Sequence, residues 1–472
     1  MDFSKLEQRL KEFLELVEAQ PTDNATVAAH LRYPSASGTL AGSTLGRQLW
    51  DSPEGSALIS CLLEDERLKE WFAPPPETRL NEVRFRIASL VGRRQAKGTS
   101  PDDLAVLARE LAEALLEPNI VATAVQVFFG LTADSSIALP YEFHVAPATQ
   151  DELRTMLSMV GGREVDVLRI PARPAIAVMT SIAIPRQQWG AMAGVTAIVL
   201  PWAMFEGVRF VLWLASGVYC AKGDYYVNEE SQFPLAELER QTASVAEMFP
   251  GSLASRTAAI EPPLLRDLMI RHEGAVKGIA NVSLPDDVVI PLWTASTFLD
   301  AGLRSLDTLF ILFLCYSALE GMLLLEGDDD SRLGPRIGRL VGKDVQDRRD
   351  IRRILRIWRE LRGSAAHGRR AQLSDLVRFI GREPNLAGDL GGMSMFDTRE
   401  WEEAARVRAF ELARRTYLGM LFSLIHVNDE TITEGMTRTS LVKLLDQAER
   451  NDASAVIAVD EMIPAWIKDV VI

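Results

Sequence analysis

The residues best equipped for chemistry are an arginine and a histidine separated by four residues, near the end of a helical pattern. They stand in the string Trp358-Arg-Glu-Leu-Arg362-Gly-Ser-Ala-Ala-His367-Gly368. An imidazole titrates near neutral pH, so His367 suits a general acid or base. The planar guanidinium of Arg362 matches phosphate oxygens and can stabilise charge developing on them. Ser364 can orient a phosphate or the imidazole. The bland alternative is an internal ion pair for Arg362 and a helix-end histidine favoured by the dipole. His30, His144, His272 and His426 have no equivalent partner in sequence.

The element that must carry this pair is a long helix running from about Val345 toward Gly368. At 100° per residue, Ile351, Ile354, Leu355, Trp358, Leu361 and Ala365 form one apolar stripe. Arg349, Arg352, Arg353, Arg356 and Arg359 lie away from that stripe, whereas Arg362 falls within it. An arginine aimed at a core needs a carboxylate, a phosphate or carbonyls, because unpaired burial is costly. Glu320 sits on an apolar helix earlier in the chain, so a Glu320–Arg362 or a Glu320–Arg336 contact is expected. A straight helix sets Arg362 and His367 about 140° apart. Their convergence then requires a bend at Gly363 or a second copy of the chain.

Charge is distributed unevenly. Residues 331–370 hold thirteen Arg/Lys against four Asp/Glu, a local +9 that leaves −23 on the rest of a −14 chain. A basic ridge on an acidic body draws polyanions to one place. The competing expectation is that these arginines pair with carboxylates elsewhere in the molecule. A uniformly basic nucleic-acid coat is excluded. Three distant cysteines (Cys61, Cys220, Cys315) argue against a disulfide scaffold or a zinc ribbon. No metal-ligand set is evident and no cofactor is expected. The acidic triplet Asp328-Asp-Asp lacks calcium-loop spacing and reads as a solvated loop with a helix cap at Asp330 or Ser331.

At 472 residues the chain has room for about three domains at roughly 150 residues each. The expected class is α+β and multidomain. Residues 1–118 read as a helical region. Within it 34–46 is a Gly/Ser/Thr-rich loop that lacks the lysine of a P-loop. Residues 119–290 read as a mixed α/β regulatory or sensing domain. Its strands or buried runs fall at 121–131, 141–145, 165–170, 175–184, 195–200 and 208–220, followed by helices at 235–248 and 263–279. Residues 291–428 read as an all-α bundle, in which Leu303, Leu306, Phe310, Leu314, Ser317, Gly321 and Leu324 share one face. A tail, 429–472, carries one helical stretch over 440–449. The apolar stretches 191–221 and 309–325 are broken by charge or too short to span a membrane, so a cytoplasmic protein is expected. The N-terminal 20 residues lack a secretory apolar core.

The ordered features of 291–428 resemble the HEPN superfamily (higher eukaryotes and prokaryotes nucleotide-binding domain), in particular its Apea-like branch. They are Ala318-Leu319-Glu320 at the end of an apolar helix, Arg336 central in a short helix, and a basic helix with Trp358. That helix leads into Arg362-x4-His367-Gly368, and an amphipathic helix closes the set. The residue after the motif arginine, often polar in the family, is here Gly363. The resemblance implies a metal-independent endoribonuclease in which RNA supplies its own 2′-OH as nucleophile. It places Arg362, His367 and Ser364 in the catalytic role, with Glu320, Arg336 and Trp358 in support. Arg349, Arg352, Arg353, Arg356, Arg359, Arg369 and Arg370 become the RNA-binding set. It further implies a homodimer through this domain and, by analogy with multidomain relatives, a toxin-like effector of abortive antiphage defence released by a phage-derived trigger. The alternative is a non-catalytic RNA- or nucleotide-binding and dimerisation module.

Overall fold

A computed structural model describes residues 3–19, 48–64, 104–116, 119–160, 174–185, 193–227, 257–305, 307–366 and 398–469. The expected loop at 34–46, the strand at 165–170, the helix at 235–248, and His367, Arg369 and Arg370 lie outside those residues. The chain is α+β.

Apolar residues at three- and four-residue intervals make α1 (Phe3–Glu18), α2 (Pro53–Glu64) and α3 (Leu104–Leu116) amphipathic. Leu6, Leu10, Phe13, Leu58, Leu62 and Ala108 bury against one another, with Phe13 stacked on Trp50 at 4.6 Å. This core is separate from the main one.

The sheet follows from period-two alternation. Its strands are β1 (Asn119–Phe129), β3 (Ile137–Leu139), β4 (Phe143–Pro147), β5 (Ala175–Pro185) and β6 (Ala221–Val227), in the order β3-β4-β5-β1-β6. All pairings are antiparallel, and β1 runs the full length of β5 from Asn119 opposite Pro185 to Phe129 opposite Ala175. The short β2 (Leu131–Thr132) pairs in parallel with β7 (Ala258–Ala259). Ala124, Phe128, Ile176 and Val178 face the main core. Val125, Val127 and Ala177 face the other way, onto Leu153 and Met156 of α4 (Gln150–Val160).

The strands expected at 195–200 and 208–220 are instead one helix, α5 (Ala193–Ser216). It is apolar on nearly every side and buries Phe205, Val208, Val211, Leu212 and Leu214. With few polar residues to mark a face, its sequence carries no readable period. Gly217 ends it at φ +70, its N–H bonded to the Trp213 carbonyl at 2.8 Å. Among the described residues no helix is long and apolar enough to cross a membrane. The single helix expected over 263–279 also divides. α6 (Pro262–Met269) widens into a π-helix over Ile270–Val276 whose seven residues are all buried.

Five helices then follow in the expected order: α7 (Asp286–Leu303), α8 (Thr308–Leu323), α9 (Leu333–Val341), α10 (Val345–Ala366) and α11 (Thr398–Leu424). The shared face expected for Leu303 through Leu324 is not formed. The chain breaks between α7 and α8, where Asp307 caps α8 by accepting the Phe310 N–H at 2.8 Å. Phe310 is half exposed, and α8 buries Ile311, Leu312, Cys315, Leu319 and Met322 instead. Again, a helix apolar all round hides which face it will bury.

The segment beyond 428 holds more structure than one helix. β8 (Ile425–Asn428) and β9 (Thr431–Glu434) form a hairpin whose two-residue turn, Asp429-Glu430, has both φ positive. Three helices follow: α12 (Arg438–Glu449), α13 (Ala453–Met462) and α14 (Ala465–Asp469). Leu441, Leu445, Val459 and Ile467 join the core that also contains the sheet face and α7–α11.

Candidate active site

Glu320 stands near the end of α8, and Arg362 near the end of α10. The two meet, Arg362 Nη2 to Glu320 Oε2, at 3.0 Å. Of the two contacts expected for Glu320, this one is formed. Arg362 comes from the apolar stripe as expected: Ile351, Ile354, Leu355 and Trp358 on that stripe are buried. The arginine itself keeps 37% of its side chain exposed against 17% for Glu320. The pair therefore sits at the rim of the bundle, within reach of solvent.

Two further groups complete the rim. Tyr316, one turn before Glu320, places its ring 5.8 Å from the Arg362 guanidinium carbon. Arg359, one turn before Arg362, pairs with Asp330 at 3.2 Å. Burial raises the carboxyl of Glu320 above its ordinary range; Arg362 opposes that shift and Asp330 adds to it. Burial, reinforced by Glu320 and Asp330, likewise pushes the Tyr316 phenol up, against Arg359 and Arg362. The Arg362 Nε is buried with no hydrogen-bond partner among the described residues. The rest of the guanidinium keeps contact with solvent, where a planar fork can meet an oxyanion.

The expected Glu320–Arg336 contact is not made. Arg336 is 1% exposed and binds Asp446 of α12 in a bidentate fork, Nε to Oδ1 and Nη2 to Oδ2, both 2.8 Å. Its Nη1 donates to the Leu323 carbonyl at 2.7 Å and to Asp328 at 2.5 Å. Sequence spacing missed this because the decisive partner lies 110 residues away. Arg438 donates to the carbonyls of Met322 and Leu324. The two arginines thus satisfy the last carbonyls of α8, which would otherwise be orphaned, and fix the turn that carries Glu320. The acidic triplet serves the same corner. Asp328 pairs with Arg332 and Arg336, Asp329 accepts the Ser331 N–H at 2.7 Å, and Asp330 holds Arg359. The expected side-chain cap on α9 is not formed: Arg332 stands at its N-cap, and Asp329 instead caps a single 3-10 turn, Asp330–Arg332, that leads into it.

The basic ridge is largely spoken for. Arg352 pairs with Glu449 at 2.5 Å, Arg353 with Asp350 at 3.7 Å and Arg359 with Asp330. Arg349 and Arg356 are exposed, with no ion pair among the described residues. Carboxylates of α12 absorb much of the local charge: Asp446 takes Arg336, and Glu449 takes Arg352 with Arg339 at 3.8 Å. Trp358 is 6% exposed and packs in the core. α10 continues as a helix through Gly363 to Ala366, so Ser364 lies on it; nothing is described of the Ser364 side chain.

A second polar cluster escaped the sequence. His272 on the π-helix is fully buried, its Nδ1 2.8 Å from Tyr417 Oη of α11 and its Nε2 3.4 Å from Glu273 Oε1. The Tyr417 partner is 145 residues distant, and no local spacing marks it. The one available hint was the adjacent Arg271-His272-Glu273, three polar residues that cannot all lie on one side of a regular helix.

Comparison of the chain with protein-family models, with curated proteins and with solved structures finds no match.

Proposed function

We propose that the chain is a metal-independent endoribonuclease of the HEPN type, acting in the cytoplasm. The observation that carries this reading is the placement of Arg362 at the solvent rim of the α8–α10 corner. There Glu320 orients it and its Nε has no partner among the described residues. RNA brings its own nucleophile. Cleavage needs one proton removed from a 2′-OH, one given to the departing 5′-oxygen, and charge stabilised on the phosphorane between. The bond formed joins O2′ to phosphorus and the bond broken is P–O5′, leaving a cyclic phosphate and a 5′-hydroxyl. Arg362 is the electrostatic clamp on the non-bridging oxygens. His367 is the proton-transfer group, and Ser364 orients the phosphate. One imidazole cannot be acid and base at once. A homodimer that apposes two motifs supplies both.

The biological reading is a toxin-like effector of antiphage defence, with residues 1–290 sensing a phage-derived trigger. It rests on analogy with multidomain members of the resembled family. The second reading, a non-catalytic RNA- or nucleotide-binding and dimerisation module, is favoured by one observation. Arg352, Arg353 and Arg359 are engaged within the molecule, which leaves a short cationic surface at Arg349 and Arg356. Arg362→Ala and His367→Ala separate the two. An enzyme loses cleavage in both variants with its fold intact, and a binding module keeps RNA affinity in the His367 variant.

A further inference from the structure

The π-helix Ile270–Val276 carries Arg271, His272 and Glu273 into the interior. A π-turn in place of α-helix is uncommon and is often found where function demands a displaced side chain. Its widened turn is closed by the Lys277 N–H on the His272 carbonyl at 2.9 Å and is continued by the Ile279 N–H on the Glu273 carbonyl at 3.1 Å. The His272 ring lies 5.0 Å from Phe210 and 5.9 Å from Tyr417, centroid to centroid. Glu273 lies against Gly207 of α5, where a Cβ would come within 2.7 Å of its Oε2, so only glycine leaves room for the carboxyl. Above the next residue, Gly274, sits the hydroxyl of Tyr141. Tyr141 and Glu142 hold left-handed backbone, φ 62 and 61, which non-glycine residues adopt at a cost.

Ser296 Oγ donates to the Trp293 carbonyl at 2.8 Å. His272 Nδ1 and the Tyr417 hydroxyl lie 2.8 Å apart, a bond whose direction follows the imidazole tautomer. Nε2 and Glu273 Oε1 are both buried and unpartnered, 3.4 Å apart. A proton on the Glu273 carboxyl satisfies both atoms at once. Without it the imidazole must carry its own proton on Nε2 to bridge the pair, and a carboxylate is left in the core.

We propose that Glu273 and His272 form a proton-operated latch: the protonated carboxyl seats the π-helix against α5, α7, α11 and the Tyr141 turn, and its deprotonation loosens that seat. The charged groups around the pair are few. Lys277 is exposed at the end of the π-helix. Tyr141 has Glu430 behind it, which Arg266 holds. Arg271 is committed to Asp267 and the Ile425 carbonyl. On α5, Glu206 and Arg209 engage Lys222 and Tyr219, and on α7 Asp300 engages Arg304. His426 and Glu434 of the β8–β9 hairpin are exposed.

Burial pushes the Glu273 carboxyl up to about 7, with Lys277 opposing. Burial, aided by Lys277, holds the His272 imidazole well below its ordinary 6.5. A raised carboxyl contributes stability in full below its ordinary 4.5 and loses it as pH rises through about 7. His272 acts the other way, losing stability only as pH falls below 6.5. Above pH 6.5 the response belongs to Glu273.

Hydrogen exchange of the full chain between pH 6.5 and 8.5, corrected for intrinsic rates, tests this. Protection over 270–280 and around Tyr141 is expected to fall by about fourfold and to level off toward the upper end, the linkage expected for a carboxyl at about 7. α1–α3 are expected to stay unchanged. Glu273→Gln is expected to flatten the profile, and the surface variant Lys277→Met to move the midpoint up. Flat protection in the unmodified chain, a pH response that survives Glu273→Gln, or a midpoint that falls in Lys277→Met would overturn the latch.

Discussion

At the scale of single residues, the account turns on how Arg362 is held. In the proposed site Glu320 acts as a positioning residue, holding the Arg362 guanidinium at 3.0 Å. Misplacing a clamp by about 1 Å can cost on the order of a hundredfold in rate. Glu320→Ala is therefore expected to lower RNA cleavage by about that factor while far-UV circular dichroism stays unchanged. Cleavage at the unmodified rate removes Glu320 from the site. Arg336 plays a different part. It is buried, tied to two carboxylates and to the Leu323 carbonyl. Arg336→Met leaves Asp328 and Asp446 only the exposed Arg332 as a cation, which costs about 3 kcal/mol, the lower end for a broken buried pair because Asp446 keeps contact with water. Urea denaturation reads that loss, and a change within experimental error contradicts the assignment.

At the scale of elements, the hairpin and helices after residue 424 belong to the bundle. α12 supplies Asp446 and Glu449 to arginines of α9 and α10, and Leu441 and Leu445 to the core. Ending the chain after Glu434 is expected to abolish the cooperative thermal transition of the bundle, followed by circular dichroism; a retained transition shows α12–α14 to be dispensable. On α10 the arginines divide by partner. Removing Arg349 or Arg356 is expected to reduce the salt dependence of RNA binding by about 0.7 in logarithmic slope each, the value for one phosphate contact on a single strand. Arg352→Ala, already paired with Glu449, is expected to leave the slope unchanged. Equal slopes for all three variants put the binding surface elsewhere. The elements legible in the sequence were those with a polar face. α10 shows its stripe, and the short α9 and long α11 carry clear boundaries. α5 did not yield, and α8 was legible as a helix but not in the face it buries, because a helix apolar on all sides has no period to read. The π-helix was not legible either, since nothing local distinguishes a widened turn from a regular one.

At the scale of the molecule, the charge asymmetry of the sequence resolves into long-range pairing. The +9 segment is met by carboxylates from α12, 97 to 110 residues further along the chain. The Arg362–Glu320 contact could be anticipated because an arginine in an apolar stripe needs a nearby carboxylate and Glu320 was the one at hand. The partner of Arg336 could not, because two carboxylates from different elements outcompeted the obvious one. The N-terminal three-helix cluster keeps a core of its own, whereas one contiguous core joins the sheet face to the bundle and to the last helices. Phe210 of α5 meets Tyr417 of α11 edge-on at 5.7 Å within that core. The proposed activity of the molecule is metal-free cleavage of RNA at Arg362 and His367. The direct measurement is RNA integrity with the purified full chain in EDTA, for the unmodified protein, Arg362→Ala and His367→Ala. Cyclic-phosphate ends produced by the unmodified protein alone are the predicted result. Cleavage that persists in either variant, or that needs an added divalent cation, would contradict it.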